Sequence, residues 1–205
     1  YGPMFGLIIA FKNYQIAKGV LGSEWVGFKY FIEFFQSTYF TRTLSNTLII
    51  SIYDILFNFP APVIFALLLN ELRGRRLKKT VQTITYLPHF ISMVVICGMI
   101  SDFFSSDGII TNLLVLFGGE KMNYLGSAKH FRTIYIVTNI WQGVCWGSII
   151  YCAALSGIDQ ELYEAAAVDG ASKLRQTFCI TLPGIAPTII IMLIMRIGQL
   201  LNVGY

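Results

Sequence analysis

Charged residues are scarce in this sequence: they make up 13% of its 205 residues, whereas hydrophobic residues make up 55%. Soluble globular domains carry roughly 25% charged residues. The composition therefore argues against a soluble domain and favours a protein that lies in a membrane.

Residues that could perform chemistry are also few. His89 and His130 are isolated, so neither metal binding nor acid–base catalysis has a cluster to rest on. The cysteines are Cys97, Cys145, Cys152 and Cys179, and they form no CxxC pair. We predict that they are small buried hydrophobic residues and that they form neither a disulfide nor a zinc site. No GxxxxGK[ST] segment is present, so the sequence offers no phosphate-binding loop of the Walker type for ATP hydrolysis. We expect a non-enzyme without catalytic residues, metal or cofactor of its own.

Long apolar runs take the place of such motifs. A helix needs about 20 apolar residues to cross the hydrocarbon core of a membrane, and four runs approach that length: 44–70, 86–104, 133–156 and 184–205. A shorter run, Ile109–Phe117, is predicted to be a partial or interfacial helix. The sequence therefore predicts an all-α, polytopic transmembrane bundle with about four spanning helices.

The basic residues are clustered, and the cluster predicts the orientation of the chain. The segment LRGRRLKK lies between the first two runs and contains Arg73, Arg75, Arg76, Lys78 and Lys79. Short basic loops stay in the cytoplasm, which puts residues 1–43 and 105–132 outside and residues 157–183 inside. Nucleic-acid binding, the other interpretation of a net charge of +4, lacks aromatic interleaving and a soluble domain.

The outer segment 1–43 is rich in glycine and aromatic residues. This composition predicts a loop followed by an interfacial helix. Trp25, Tyr30 and Phe31 are expected near the lipid headgroups, where aromatic side chains are enriched.

One polar segment, EAAAVDGASKLRQTF (Glu164–Phe178), separates two apolar runs on the inner side. Asp159 is predicted to cap a short helix that ends at Gly170, a residue able to take a positive φ. Ser172 is predicted to cap a second short helix that ends at Pro183. Helices this short are marginal alone, so the segment packs either under its own bundle or against a partner that approaches its alanines.

Charged residues inside the apolar runs are costly, at about 2.5–3.5 kcal/mol each near the centre of a span. Asp54 and Arg196 lie in such positions. They could pair with each other, contact a polar substrate, or extend toward the membrane surface. The segment Asn58–Pro62 contains two prolines and predicts a kink, and Gly143 and Gly147 form a GxxxG pattern that permits close helix approach.

Further polar and aromatic residues of these runs are candidates for a substrate path if their helices line it. Large rings in membrane helices also serve simply as packing groups. With Asp54 and Arg196, the candidates are Asn58, Trp141, Gln142, Trp146, Gln199 and Asn202.

The segment LYEAAAVDGASKLRQTFCITLPGIAP (Leu162–Pro187) resembles the EAA motif of ABC importer permeases. The positions in register with that motif are Glu164, Ala165, Ala166, Asp169, Gly170, Ala171, Phe178, Leu182, Pro183 and Pro187. Four further segments resemble the carbohydrate-uptake branch of these permeases, particularly its oligosaccharide permeases: NTLIIS, ALLLNELR, YLPHFIS and IWQGVCWGSIIYCAALSGID. The resemblance covers nearly the whole chain.

The resemblance implies the fold of a type I ABC importer permease in the bacterial plasma membrane. Such permeases usually have about six helices, so a first helix is expected before Tyr1 and a last one after Tyr205. The chain is then a fragment with an extracytoplasmic part, 1–43, and a transmembrane part, 44–205. The implied partners are membrane lipid, a second permease subunit (identical or different), two ATPase subunits that bind ATP and Mg²⁺, and an extracytoplasmic solute-binding protein.

The resemblance also implies that residues 157–183 form a coupling segment that sits in a groove of an ATPase subunit. Glu164 would contact a basic residue there, the alanines would let the helix seat, Gly170 would form the turn and Asp169 would cap or brace it. The predicted coupling residues are Glu164, Ala165, Ala166, Asp169, Gly170, Ala171, Phe178 and Pro183.

The expected function is therefore ATP-driven import of a sugar or oligosaccharide. One alternative is a permease of the same kind for another polar solute. A second is an ATPase-independent secondary transporter that uses Asp54 and Arg196 for ion coupling.

Overall fold

The computed structural model describes residues 2–72 and 74–200. The chain divides into two compact units, one that ends at Ile49 and one that begins at Ile50. Helices make up most of both units, in agreement with the all-α prediction.

The first unit is a small, aromatic-rich assembly. Its elements are a 3₁₀ helix Gly2–Phe11, strand β1 Lys12–Asn13, a 3₁₀ helix Ile16–Lys18, α1 Gly19–Gly22, strand β2 Glu24–Trp25, α2 Lys29–Gln36 and the first part of α3 Thr38–Tyr53. The strands pair antiparallel, with Lys12 opposite Trp25. The ring of Phe11 lies 5.2–5.7 Å from the rings of Trp25, Phe28 and Phe31. The helix predicted after the loop is α2, and its place at the lipid headgroups stays a prediction.

The second unit contains the remaining helices. They are a π-helical turn Asp54–Asn58, α4 Pro60–Glu71, α5 Arg75–Tyr86, a 3₁₀ turn Leu87–Phe90, α6 Met93–Phe103, α7 Ile109–Leu116, a 3₁₀ turn Tyr124–Gly126, α8 Ala128–Ser156, α9 Gln160–Val168, α10 Lys173–Gln176, a π-helical turn Thr177–Thr181 and α11 Leu182–Gly198. The basic segment predicted as a loop is helical from Arg75 onward, because arginine, lysine and leucine are good helix formers. Arg73 lies outside the described residues.

Among the described residues, two helical runs are long and apolar enough to cross a membrane: Thr38–Glu71 and Lys173–Gly198. The first contains the predicted span 44–70, and the second covers the predicted span 184–205 as far as Gly198; both begin before the predicted start. The helix α8 includes the predicted span 133–156 and is long enough, with 29 residues. It is not apolar enough, however, to be counted with these two runs. The count of four spans therefore stays a prediction.

The predicted span 86–104 is broken in the structure. The helical stretches Arg75–Phe90 and Met93–Phe103 meet at an angle of 94°. Pro88 cannot donate the backbone hydrogen bond of a continuing helix, and the chain is extended at Ser92, with φ −56° and ψ 138°. The pair forms either one broken span or a re-entrant loop, and with it the described residues contain up to three candidate spans.

Both long runs contain a proline that follows a π-helical turn. The turn Asp54–Asn58 precedes Pro60, and the turn Thr177–Thr181 precedes Pro183. Proline in an α-helix clashes with the carbonyl group four residues earlier, whereas a π-turn bonds i to i+5 and moves that carbonyl group. The helix therefore continues through Pro183, where the sequence predicted an end. The irregularity predicted at Asn58–Pro62 takes the form of the first π-turn.

The core of the second unit lies where α4, α8 and α11 meet. Its buried residues are Val63, Ala66, Tyr151, Leu155 and Ile185. A Cβ atom added at Gly147 would lie 3.0 Å from Pro62 Cγ, whereas one at Gly143 would meet no atom within 4 Å. The close approach predicted by the GxxxG pattern thus occurs at Gly147 alone. The cysteines are free, and Cys145 is buried as predicted, but Cys97 and Cys179 are exposed.

Replacing Gly147 with alanine is expected to destabilise the bundle, because the new methyl group would press on the rigid ring of Pro62. Overpacking of this kind costs about 1–3 kcal/mol. Gly143→Ala is the matched control, since the space at that glycine is open. Thermal unfolding of the purified full-length protein in detergent measures both variants. Equal midpoints for the two would contradict the close packing of α8 on α4.

Candidate transport cavity and coupling segment

A cavity of about 610 Å³, here called the transport cavity, opens between helices of the second unit. Residues of α4, α8, α11 and the first π-turn line it. Its polar lining includes Ser51, Asp54, Asn58, His89, Tyr135, Asn139, Gln142, Tyr151, Arg196 and Gln199. Donors and acceptors set among apolar side chains are typical of sites that bind small polar molecules.

Asp54 and Arg196 form an ion pair in the wall of this cavity. Arg196 donates from Nε and from Nη2 to Asp54 Oδ2, and the Nε lies 2.7 Å from that oxygen. Asn58 Nδ2 donates to Asp54 Oδ1 at 2.7 Å. Of the three interpretations open from the sequence, the structure favours the ion pair. The Asp54 side chain is 14% exposed and the Arg196 side chain 43%, so a solute in the cavity would meet the guanidinium first.

The other predicted path residues divide into two groups. Asn58, Gln142 and Gln199 line the transport cavity, whereas the two tryptophans, Trp141 and Trp146, are absent from its lining. Adjacent residues of an α-helix point about 100° apart, so Trp141 is turned away although it neighbours Gln142. The ring of Trp146 stacks on His89, with centroids 4.4 Å apart. Asn202 lies outside the described residues.

Sequence reasoning missed several residues of the cavity wall. Tyr135 and Asn139 line it together with Gln142, all on α8. Residues spaced by four and then three positions share one helix face, so this polar stripe was detectable once Gln142 had been chosen. No sequence pattern points to Ser51 or His89, which reach the cavity through the packing of separate helices.

The two short helices of the coupling segment, residues 157–183, begin where the sequence predicts. Asp159 precedes α9, and its side chain accepts a hydrogen bond from the amide of Glu161 at 3.0 Å. Ser172 precedes α10, and its hydroxyl accepts one from the amide of Arg175 at 3.4 Å. These caps satisfy amide groups that have no partner in the first turn of a helix.

The turn after α9 is a Schellman motif, the hydrogen-bonded end typical of helices that stop at glycine. Gly170 has a φ of 72°. Its amide donates to the carbonyl of Ala167 at 3.1 Å, and the amide of Ala171 donates to that of Ala166 at 2.9 Å, which are the two bonds of the motif. Asp169 is the C-cap residue through its backbone. Within the described ranges its carboxylate has no hydrogen-bond partner, so the backbone, not this side chain, braces the turn.

One side of the coupling segment is exposed. Its exposed residues include Glu164, Ala165, Ala167, Val168, Asp169, Gly170, Leu174, Phe178 and Pro183, whereas Ala166 and Ala171 are half-buried. The large apolar side chains among them are Val168, Leu174 and Phe178, at 88%, 73% and 66% exposure. Several large apolar side chains left open in so short a segment make it a candidate for contact with a partner. Six of the eight predicted coupling residues are therefore accessible to a partner.

Residues 47–203 match the model of the family described as binding-protein-dependent transport system inner membrane component. The match covers most of the chain, so the chain belongs to this family of membrane transport components. Among similar proteins of Bacillus subtilis (strain 168), the protein LplB is 47% identical over 206 residues, which cover all of this chain and 65% of LplB. The polygalacturonan/rhamnogalacturonan transport system permease protein YteP is 46% identical and 64% covered. The chain thus spans somewhat less than two thirds of these relatives.

Solved structures show the same similarity. The crystal structure of a bacterial ABC transporter involved in the import of the acidic polysaccharide alginate contains a chain that is 43% identical, with a TM-score of 0.90. The match covers 100% of this chain and 68% of that one. A second structure, the alginate transporter in complex with an alginate pentasaccharide-bound periplasmic protein, gives a TM-score of 0.88. The all-α permease fold expected from the sequence is confirmed.

Proposed function

We propose that this chain is part of a permease subunit of an ATP-driven ABC importer that crosses the bacterial plasma membrane several times. The transport cavity is its share of the path for a sugar or oligosaccharide. A second permease subunit, two cytoplasmic ATPase subunits and an extracytoplasmic solute-binding protein complete the importer. ATP and Mg²⁺ bind to the ATPase subunits, and this chain performs no chemistry.

The proposal rests on the exposed coupling segment. Its helix α9 has nine residues, fewer than the roughly 12–15 that an isolated helix needs in water. Caps at both ends hold it in shape, yet Glu164 has no partner within the part of the chain that the structure describes, and Val168 is almost fully exposed. A short, preformed helix with an open apolar face and a free carboxylate suits a groove on a partner protein.

The cavity and the relatives together support a sugar as the substrate. Sugars present hydroxyl groups around an apolar ring, and the cavity combines amide, carboxylate and guanidinium groups with apolar residues. YteP is named for polygalacturonan and rhamnogalacturonan transport, and the solved transporter imports alginate. A permease for another polar solute is the alternative within the same class. A secondary transporter fits less well, because Asp54 and Arg196 neutralise each other and no other aspartate, glutamate, lysine or arginine is among the described residues that line the cavity.

Reconstitution tests the proposal directly. The full-length protein would be placed in proteoliposomes with its second permease subunit, the ATPase subunits and the binding protein. We expect an oligosaccharide bound to the binding protein to stimulate ATP hydrolysis and to accumulate inside. Uptake that persists without the ATPase subunits would favour the secondary transporter, and stimulation by a non-sugar solute alone would favour the other permease class.

Reversing the charge of Glu164 is expected to weaken the hold of the ATPase subunits on the membrane complex. Glu164→Lys would set like charges against each other at an interface, which lowers association by about tenfold or more. Co-purification of the ATPase subunits with the detergent-solubilised complex measures the effect. Glu120→Lys is the control, since Glu120 is exposed and belongs to the predicted outer side. Equal loss in both variants would argue against a contact at Glu164.

A further inference from the structure

Two buried polar side chains of the long helix Lys173–Gly198 bond to α9 and to the turn that follows it. The hydroxyl of Tyr163, near the start of α9, lies 2.9 Å from Thr181 Oγ1. Gln176 Nε2 donates at 3.1 Å to the carbonyl of Ala171, directly after the turn that ends α9. Thr181 is 2% exposed and Gln176 5%. Polar groups this well buried are costly unless they are hydrogen-bonded, and here their partners lie in α9 and in the turn after it.

The π-helical turn Thr177–Thr181 explains how Thr181, which bonds to α9, comes to lie above Gln176, which bonds to the turn after α9. In an α-helix, residues five apart point about 140° away from each other. A π-turn bonds residue i to residue i+5 and brings them nearly into line. Thr181 Oγ1 donates to the carbonyl of Gln176 at 3.4 Å, as this alignment requires. The Tyr163 hydroxyl and Thr181 Oγ1 can each act as the donor in the bond between them.

The segment that leads into α9 is packed against the same helix. A Cβ atom added at Gly184 would lie 2.9 Å from Ile158 Cδ1, and Ile158 packs against the core that contains Ile185. Farther along this helix, Arg196 binds Asp54 in the wall of the transport cavity. A continuous series of contacts therefore joins the turn of the coupling segment to the cavity.

We propose that Tyr163, Gln176 and Thr181 are positioning residues that make α9 and the helix Lys173–Gly198 move as one body. The inference rests on the proposed function. It assigns the transmission of movement to side chains that contact neither ATP nor the solute. When the ATPase subunits displace α9, the hydrogen bonds of these side chains turn the helix that holds Arg196. Without them, α9 still docks and ATP is still hydrolysed, but less of the displacement reaches the cavity.

The test uses the reconstituted full-length importer and counts sugar molecules imported per ATP hydrolysed. Tyr163→Phe removes one hydroxyl and keeps the ring. We expect that ratio to fall about three- to tenfold, the range set by one hydrogen bond, while the ATPase subunits are retained and the unfolding midpoint falls by no more than the loss of one hydrogen bond allows. Thr181→Val, which also removes the bond to Gln176, should lower the ratio at least as far, and Thr181→Ser, which keeps the hydroxyl, should leave it near that of the unmodified importer.

A double-mutant cycle separates transmission from loss of structure. If the two hydroxyls act through their mutual bond, Tyr163→Phe with Thr181→Val is no worse than Thr181→Val alone, because Tyr163→Phe then removes nothing further. Three outcomes would each overturn the inference. They are losses that add in the double variant, an unchanged ratio of sugar to ATP in Tyr163→Phe, and a loss of ATPase subunits on purification without a fall in that ratio. Failure of the unmodified importer to take up any sugar with ATP would instead overturn the proposed function, and the inference with it.

Discussion

We expect Gly170→Val to abolish ATP-driven uptake, while the protein still inserts into the membrane. The φ of 72° at this position is open to glycine but costs other residues about 1–2 kcal/mol, and a β-branched residue is among the least tolerant. Space is not the obstacle, since a Cβ atom there would meet nothing within 4 Å. If residue 170 relieved this strain by adopting a negative φ, the hydrogen bonds from its amide to Ala167 and from Ala171 to Ala166 would break. The end of α9 would then lose its shape.

The controls for this variant separate backbone conformation from side-chain bulk. Gly170→Asn adds a larger side chain than alanine, but asparagine tolerates the left-handed region, so we expect most of the uptake to remain. Gly170→Ala should fall between the two. The measurements are the amount of protein in the membrane fraction, ATPase subunits retained on purification, and sugar uptake. Normal uptake by Gly170→Val would contradict the role given to this turn.

The local signals of the coupling segment could be predicted because each of them depends on only a few neighbouring residues. Asp159 and Ser172 cap helices wherever the next amides lack partners, and Gly170 after Asp169 is a turn signal in any context. The continuation of the helix through Pro183 could not be predicted. It depends on the π-turn at Thr177–Thr181, and that turn is stabilised by contacts to Tyr163, a residue of another helix.

The transport cavity shows a similar division. The pairing of Asp54 with Arg196 could be anticipated, because the cost of a lone charge in hydrocarbon holds for any fold. Whether Tyr135, Asn139 and His89 line the cavity depends on the rotation of each helix about its own axis. That rotation is fixed by packing at sites such as Gly147 and Pro62. The same rotation removes the tryptophans from the predicted path, since composition alone cannot tell a ring in the cavity from one that stacks beside it.

Asp54→Asn is expected to destabilise the protein and to reduce uptake by about tenfold or more. The variant leaves the charge of Arg196 without its partner inside an apolar helix. Breaking a fully buried pair costs about 3–5 kcal/mol, and the 43% exposure of the Arg196 side chain puts this case at or below the lower end of that range. Arg196→Gln should act in the same direction, because it leaves the carboxylate of Asp54 with Asn58 as its remaining hydrogen-bond donor. Thermal unfolding in detergent and uptake by proteoliposomes measure the two effects.

Combining the two changes decides what the pair does. In Asp54→Asn with Arg196→Gln no charge remains, and two amide side chains can still bond to each other and to Asn58. If the charges serve mainly to satisfy one another, the double variant recovers its unfolding midpoint and its uptake comes back to within about threefold of the unmodified protein. Recovery of stability without uptake would instead mean that the guanidinium, the more exposed partner, contacts the solute itself. Losses that simply add would contradict the pairing, because two residues that act through one bond cannot lose it twice.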